Sequence, residues 1–190
     1  MTRVVLTEFM SLDGVMEEPR WTFQFERGPD GMKFKVDELF ASEALLLGRV
    51  TYQGFAQAWP SMGTDDFGKK MNSIPKYVVS STLTDADANW GPTTVIRGDV
   101  VPEITKLKDA TGGDLLVEGS CQLARSLIRH GLVDEYRFML FPVVLGGGKR
   151  LFPEEMSEQA RLVLTEAKPD RDGVMLLRYH PAPTGEENSR

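Results

Sequence analysis

Four short stretches of this chain carry residue types that grip phosphate or move a proton, and each follows an apolar run. Gly48-Arg49-Val50-Thr51 comes directly after Ala44-Leu45-Leu46-Leu47, whose lack of alternation predicts a strand buried on both faces. A strand end running into a helix offers free N–H groups and the positive end of the helix dipole, and Arg49 adds a full charge. Val117-Glu118-Gly119-Ser120 runs in the same way into a helix that includes Cys121. There Gly119 lets backbone approach a ligand closely, and Ser120 either caps the helix or bonds a phosphate oxygen. Ser80-Ser81-Thr82 sets three hydroxyls at another strand end, as phosphate donors or as turn formers. Gly146-Gly147-Gly148-Lys149-Arg150 resembles a phosphate cradle but lacks the spacing and final Ser or Thr of a P-loop, which favours a loop with solvated cations. Glu118 is the odd member. An acid at a strand end beside an anion site is costly unless it bonds a ligand hydroxyl, a nitrogen or a free backbone N–H.

Other chemistries are poorly supplied. The two histidines, His130 and His180, stand far apart with no cysteine pair, so no metal site is expected. No G-x-S-x-G elbow occurs, and Cys121, the one cysteine, has no evident histidine partner. Asp134 and Glu135 are adjacent at a strand start and face opposite ways, which disfavours a carboxylate pair. A net charge of -6 argues against a nucleic-acid surface, which needs clustered Lys and Arg. A single cysteine suits a reducing compartment, the first residues lack an apolar signal segment, and no apolar run approaches a membrane span. A cytoplasmic protein with a small-molecule substrate, no membrane and no nucleic acid is the expectation, and a homodimer is the expected assembly.

The elements that must hold these stretches follow from pattern. Residues 3–10 predict a first strand, closed by the turn Ser11-Leu12-Asp13-Gly14. Residues 17–31 read as a long loop. Residues 32–43 predict a helix whose apolar members are Met32, Val36, Leu39 and Phe40. Strand 44–48 leads into helix 49–58, an irregular stretch over 60–73, strands 76–80 and 93–96, and helix 101–110. Strand 114–117, helix 120–130 and strand 135–144 come next, and strands 160–166 and 174–179 form a hairpin through 169–173. Alternation over the first two thirds predicts an α/β fold, with a mostly parallel sheet of eight strands, a C-terminal antiparallel hairpin and four flanking helices. Residues 1–180 are expected to form one domain and 181–190 a frayed, disordered tail.

Taken in order, these pieces resemble the dihydrofolate-reductase-like superfamily, and within it the riboflavin-type reductases, the C-terminal domain of the bifunctional deaminase–reductase. The markers are Ser11-Leu12-Asp13-Gly14, Leu47-Gly48-Arg49-Val50-Thr51-Tyr52, Val78-Val79-Ser80-Ser81, Val117-Glu118-Gly119-Ser120, and Val133-Asp134-Glu135 leading to Pro142 through Gly148. The resemblance implies a three-layer reductase fold that binds NADPH. Gly48, Arg49 and Thr51 match the stretch where the cofactor phosphates lie, with Arg49, Ser80 and Ser81 around the 2′-phosphate. Gly119 and Ser120, with Cys121 next to them, match the turn under the pyrophosphate. Glu118 follows the riboflavin-type branch and, with Asp13, is a candidate catalytic residue. The implied activity resembles that of 5-amino-6-(5-phosphoribosylamino)uracil reductase, or hydride transfer to another small heterocycle or sugar imine.

Two departures bear on substrate. Dihydrofolate reductases carry an acid on the first helix where Met32 stands here, sixteen residues before Gly48, with Asp30 and Asp37 off register. The riboflavin-type T-x-x-x-D-x-P segment is replaced by Thr51-Tyr52-Gln53-Gly54-Phe55-Ala56. Three other readings stay open: a catalytically silent NADPH-binding or regulatory protein, a module using the groove for another nucleotide, and a dihydrofolate reductase with a displaced acid.

Overall fold

Residues 2–110, 112–153 and 160–183 are described by a computed structural model. Eight strands form one sheet: β1 (Val4–Ser11), β2 (Ser42–Gly48), β3 (Lys76–Val79), β4 (Thr93–Ile96), β5 (Asp114–Glu118), β6 (Glu135–Phe141), β7 (Leu162–Pro169) and β8 (Met175–Pro181). Their order across the sheet is β4-β3-β2-β5-β1-β6-β8-β7. Neighbours from β4 through β6 pair parallel, while β6–β8 and β7–β8 pair antiparallel. This is the expected architecture.

Successive side chains of the central strands go to opposite faces, and both faces are covered. Val4, Leu6, Leu46, Leu115 and Val117 pack with Ile104 of α4 (Val100–Ala110) and with Leu123, Ala124, Leu127 and Ile128 of α5 (Cys121–Arg129). Val5, Leu45, Leu47, Val78 and Leu116 meet Leu39 of α1 (Pro29–Ala41), Tyr52 of α2 (Arg49–Met62) and Met71 of α3 (Asp66–Ser73). The unalternating Leu45-Leu46-Leu47 run therefore serves both layers.

Five sequence expectations need correction. Five α-helices flank the sheet among the described residues, not four. The stretch 60–73 holds the last turn of α2, with Pro60 inside it, and all of α3. Asp65 accepts the Gly68 N–H at 2.8 Å to cap α3, and Trp59 packs against Phe67 at 5.6 Å to fasten the two helices. The loop 17–31 contains a 3-10 turn, Pro19–Gln24, and Trp21 and Phe25 are anchored on the Phe141 ring. β6 stops at Phe141 because Pro142 has no N–H for a ladder.

The fifth correction concerns α1. Met32, Val36 and Phe40 are 59%, 40% and 50% exposed, and the helix instead buries Gly31, Phe34, Lys35, Glu38 and Leu39. Those five positions also have helical spacing, so periodicity alone could not choose between the two faces. Residues 184–190 of the expected tail lie outside the described residues. No described helix is long and apolar enough to cross a membrane.

Candidate active site

In a parallel sheet the ligand crevice lies beyond the carboxyl ends of the strands. Here two strand-to-helix junctions, β2 into α2 and β5 into α5, meet side by side at that edge. The Gly48 N–H donates to Ser120 Oγ at 2.9 Å, and the Ser120 N–H donates to Thr51 Oγ1 at 2.9 Å. Ser120 Oγ also donates to the Glu118 carbonyl at 3.2 Å. Gly48, Thr51, Gly119 and Ser120, far apart in sequence, are thus one stitched unit.

The stitching corrects one expected role. Ser120 does not cap α5, because its hydroxyl is engaged by Gly48 and Glu118. Neither α2 nor α5 has a side-chain cap at its N-terminus. First-turn amides find no partner within their own helix, so both helices turn bare N–H donors and positive dipole ends toward the same crevice. The turn between β5 and α5 holds two residues with left-handed backbone, Gly119 at φ 62° and Ser120 at φ 56°. A Cβ at Gly119 would stand 3.1 Å from Thr51 Cγ2, so glycine is required for conformation and for space.

Arg49 is exposed and its Nη1 donates to Gln53 Oε1 at 2.9 Å, one turn along α2. Gly48 and Val79 are register partners on neighbouring strands, so Arg49 and Ser80 leave the sheet side by side. Ser80 Oγ accepts the N–H groups of Thr82 at 3.1 Å and Leu83 at 2.9 Å. It is a turn former whose own hydroxyl proton is still free to donate. Ser81 is exposed.

Cys121 is half-buried, with Sγ 3.6 Å from the Arg150 carbonyl, and burial pushes its thiol up, away from thiolate chemistry. Asp13 is occupied as a clamp. Its carboxylate accepts from Ser11 Oγ at 2.6 Å, Leu145 N at 3.1 Å and Gly146 N at 2.8 Å. The Ser11 hydroxyl and those amides hold the carboxyl well below the usual range, so it is not placed as a proton donor. Its work is to tie the 146–150 loop to the first turn. Val15 bridges Arg150 in the same tie, and Met16 N–H donates to the Lys149 carbonyl.

Glu118 is not an unpaired acid, as its position alone suggested. Its Oε1 receives Lys35 Nζ at 3.0 Å, and its side chain is 20% exposed. Lys35 also pairs with Glu38, lies 5.2 Å over the Phe9 ring and reaches Thr7 Oγ1 at 3.5 Å. Thr7 Oγ1 donates to Glu38 Oε1 at 3.0 Å. Burial works against the Lys35 charge, but Glu118 and Glu38 outweigh it and hold the ammonium charged. Burial raises Glu38, and Lys35 pulls it back. The first helix therefore carries an inward acid after all, at Glu38. Asp30 pairs with Lys168 at 2.7 Å and Asp37 with Lys33 at 2.5 Å, and both stay out of this cluster.

Thr7, Glu8, Lys35 and Glu38 were missed from the sequence. One signal existed: Thr7-Glu8 is a polar pair in the middle of an otherwise apolar strand, and such a pair in a buried strand calls for partners.

The family model for the RibD C-terminal domain matches residues 2–176. The uncharacterised protein YyaP of Bacillus subtilis is 31% identical over 186 residues, covering 94% of each chain. A putative riboflavin biosynthesis protein from Shewanella sp. PV-4 superposes with a TM-score of 0.77 at 20% identity, over 95% of this chain and 99% of that one. A dihydrofolate reductase from Enterococcus faecalis, complexed with NADP(H), superposes with a TM-score of 0.59 at 18% identity, over 95% and 97%. At such identities the two solved structures speak for the fold alone, and both give the dihydrofolate-reductase-like one. The chain belongs to the RibD C-terminal domain family, which comprises reductase domains of riboflavin biosynthesis.

Proposed function

We propose that the protein is an NADPH-dependent reductase acting on a small heterocyclic or ribosylaminopyrimidine-like substrate. The observation that carries this reading is the pair of uncapped helix N-termini, α2 and α5, stitched through Gly48, Thr51 and Ser120 at the carboxyl edge of the sheet. Two bare helix ends with a glycine turn between them suit a pyrophosphate. Arg49, beside Ser80 and Ser81, suits the 2′-phosphate that separates NADPH from NADH. When bound there, NADPH supplies a hydride to an electrophilic carbon. The chain's residues then do three things: α2 and α5 fix the phosphates, Asp13 holds the 146–150 loop against the first turn, and Glu118 meets the acceptor. Glu118 takes part in proton transfer at the acceptor, and Lys35 orients it.

The test is turnover with NADPH against a panel of pterins and ribosylaminopyrimidines, together with Glu118→Gln. That variant keeps size and removes the ionisable proton. NADPH affinity should stay within about threefold while turnover falls about 10²-fold or more, the usual span of general acid–base work. A collapse of NADPH affinity, or untouched turnover, makes Glu118 structural.

A further inference from the structure

α1 carries no cap of its own. Its N-cap is Gly28, which has no side chain to offer, and Pro29 at the first position has no N–H. The cap comes instead from the far end of the chain. β8 runs antiparallel to β6, with Met175 opposite Leu140, so the β7–β8 turn emerges at the carboxyl edge of the sheet, where α1 begins. From that turn Asp170 Oδ2 accepts the Gly28 N–H at 3.0 Å and the Gly31 N–H at 3.1 Å. Free first-turn amides and the positive end of the helix dipole both favour a carboxylate there.

The seat is cut to this side chain. A Cβ at Gly28 would stand 1.9 Å from Asp170 Oδ1, and one at Gly31 would stand 2.3 Å from Oδ2. Gly28 is extended at φ -76° and Gly31 is helical, so both positions need room and not a left-handed backbone. Smaller ties surround the seat. Asp172 accepts the Glu26 N–H at 2.6 Å, Arg171 meets Glu26 at 3.4 Å and Lys168 meets Asp30 at 2.7 Å. The two ion pairs among them are exposed and contribute little. The turn is closed by the Asp170 N–H, which donates to the Val174 carbonyl at 2.8 Å.

Gly31 is the first member of the inward stripe of α1. Lys35 and Glu38 follow it at i+4 and i+7, on the same face and about 6 Å and 10 Å further along the axis. A fixed Gly31 therefore fixes the height at which the Lys35 ammonium meets Glu118 Oε1, 3.0 Å away. We propose that Asp170 is a positioning residue for the acceptor side of the crevice: seated on Gly28 and Gly31, it holds α1 at the height that puts Lys35 against Glu118. The hold on Lys35 stands by itself; its bearing on turnover rests on the reductase reading. The cofactor side, stitched through Gly48, Thr51 and Ser120, is built without it.

Acetylation of the whole native chain with acetic anhydride, mapped by peptide mass spectrometry, tests the hold without substrate. Only a free amine reacts, so Lys35, buried in its ion pairs, should label far more slowly than Lys33, 68% exposed on the same helix. In Asp170→Ala the Lys35-to-Lys33 ratio should rise about tenfold or more, as an amine freed from close opposite charges recovers. Asp170→Asn keeps an acceptor oxygen and caps as well as aspartate, so it should restore protection. Asp65→Ala, which removes the α3 cap, is the stability control and should leave the ratio unchanged. Gly31→Ala separates holding from stability. Alanine favours a helical position, and the other near atom, the Met139 methyl at 3.1 Å, can yield. The variant should fold, yet evict Asp170 and free Lys35 as Asp170→Ala does. An unmoved ratio in Asp170→Ala or Gly31→Ala overturns the proposal. So does a rise in Asp65→Ala, or a ratio in Asp170→Asn as high as in Asp170→Ala. Should Asp170→Ala not fold, Gly31→Ala decides alone. Turnover of 5-amino-6-(5-phosphoribosylamino)uracil with NADPH should fall about tenfold to a hundredfold in Asp170→Ala, the scale of a remote misplacement of about 1 Å, with NADPH affinity unchanged. Untouched turnover, or a lost NADPH affinity, makes Asp170 structural. A wild-type chain that ignores NADPH removes the reductase reading and leaves the labelling to judge Asp170.

Discussion

Lys35→Met keeps the aliphatic stem over Phe9 and removes only the ammonium. The structure then leaves Glu38, 1% exposed, and Glu118, 20% exposed, without their shared cation. Stripping one partner from a buried ion pair costs about 3–5 kcal/mol, because the remaining charge stays desolvated. For a chain of this size that lowers the melting temperature by about 6–20 °C, at roughly 2–4 °C per kcal/mol. The loss must depend on pH. Burial already raises Glu38 above its ordinary 4.5, and Lys35 opposes that rise. Without Lys35 it rises further, and a raised carboxyl loses folding stability as pH climbs from its unfolded value through its folded one. The deficit in urea unfolding should therefore be small at pH 5 and near its full size at pH 8. The triple variant Lys35→Met, Glu38→Gln, Glu118→Gln should recover most of it, since removing a whole buried network is often nearly neutral. A deficit equal at both pH values, or below about 1 kcal/mol at pH 8 against that expectation, refutes the buried-cluster reasoning.

Gly119→Ala places a methyl 3.1 Å from Thr51 Cγ2 on a left-handed backbone. It should cost about 1–2 kcal/mol of stability and weaken NADPH, as thermal unfolding and titration would show; an unchanged melting point refutes the close approach. Burial pushes Tyr136 up to about 12, so one of the four tyrosines should titrate late by ultraviolet absorbance. Because the fold prefers its neutral form, stability should fall between about pH 10 and 12 as the unfolded phenol ionises first. Dihydrofolate turnover should stay below about 1 s⁻¹, the low end for enzymes, because Met32 is exposed and Glu38 is already neutralised by Lys35. Faster steady-state turnover would show that Glu38 replaces the missing acid.

The sheet was legible because its signals are local. Leu45-Leu46-Leu47 has no alternation and must be buried on both sides, and the turn residues at Gly48 and Gly119 mark the strand ends. The strand-to-helix junctions at Gly48 and Gly119 were legible for the same reason: strand, glycine and helix start are contiguous. Lys35 and Glu38 were not legible, since α1 offers two stripes of equal helical spacing, and of the apolar residues expected inward only Leu39 is buried while Met32, Val36 and Phe40 face outward. Only tertiary partners, Thr7 of β1 and Glu118 of β5, decide which stripe turns inward. Ser120 shows a subtler limit. Its type fits a helix cap, but the hydroxyl is taken by Gly48, 72 positions away.

The central claim is that the crevice between α2 and α5 binds NADPH with Arg49 on its 2′-phosphate. Calorimetric titration of the whole chain and of Arg49→Ala with NADPH and NADH tests this most directly. NADPH should bind more tightly than NADH. Arg49→Ala should weaken NADPH by about 1.5–3 kcal/mol, the size of a hydrogen bond to a charged group, roughly tenfold to a hundredfold, while NADH changes little. No binding of either dinucleotide, or an equal loss for both in Arg49→Ala, contradicts it.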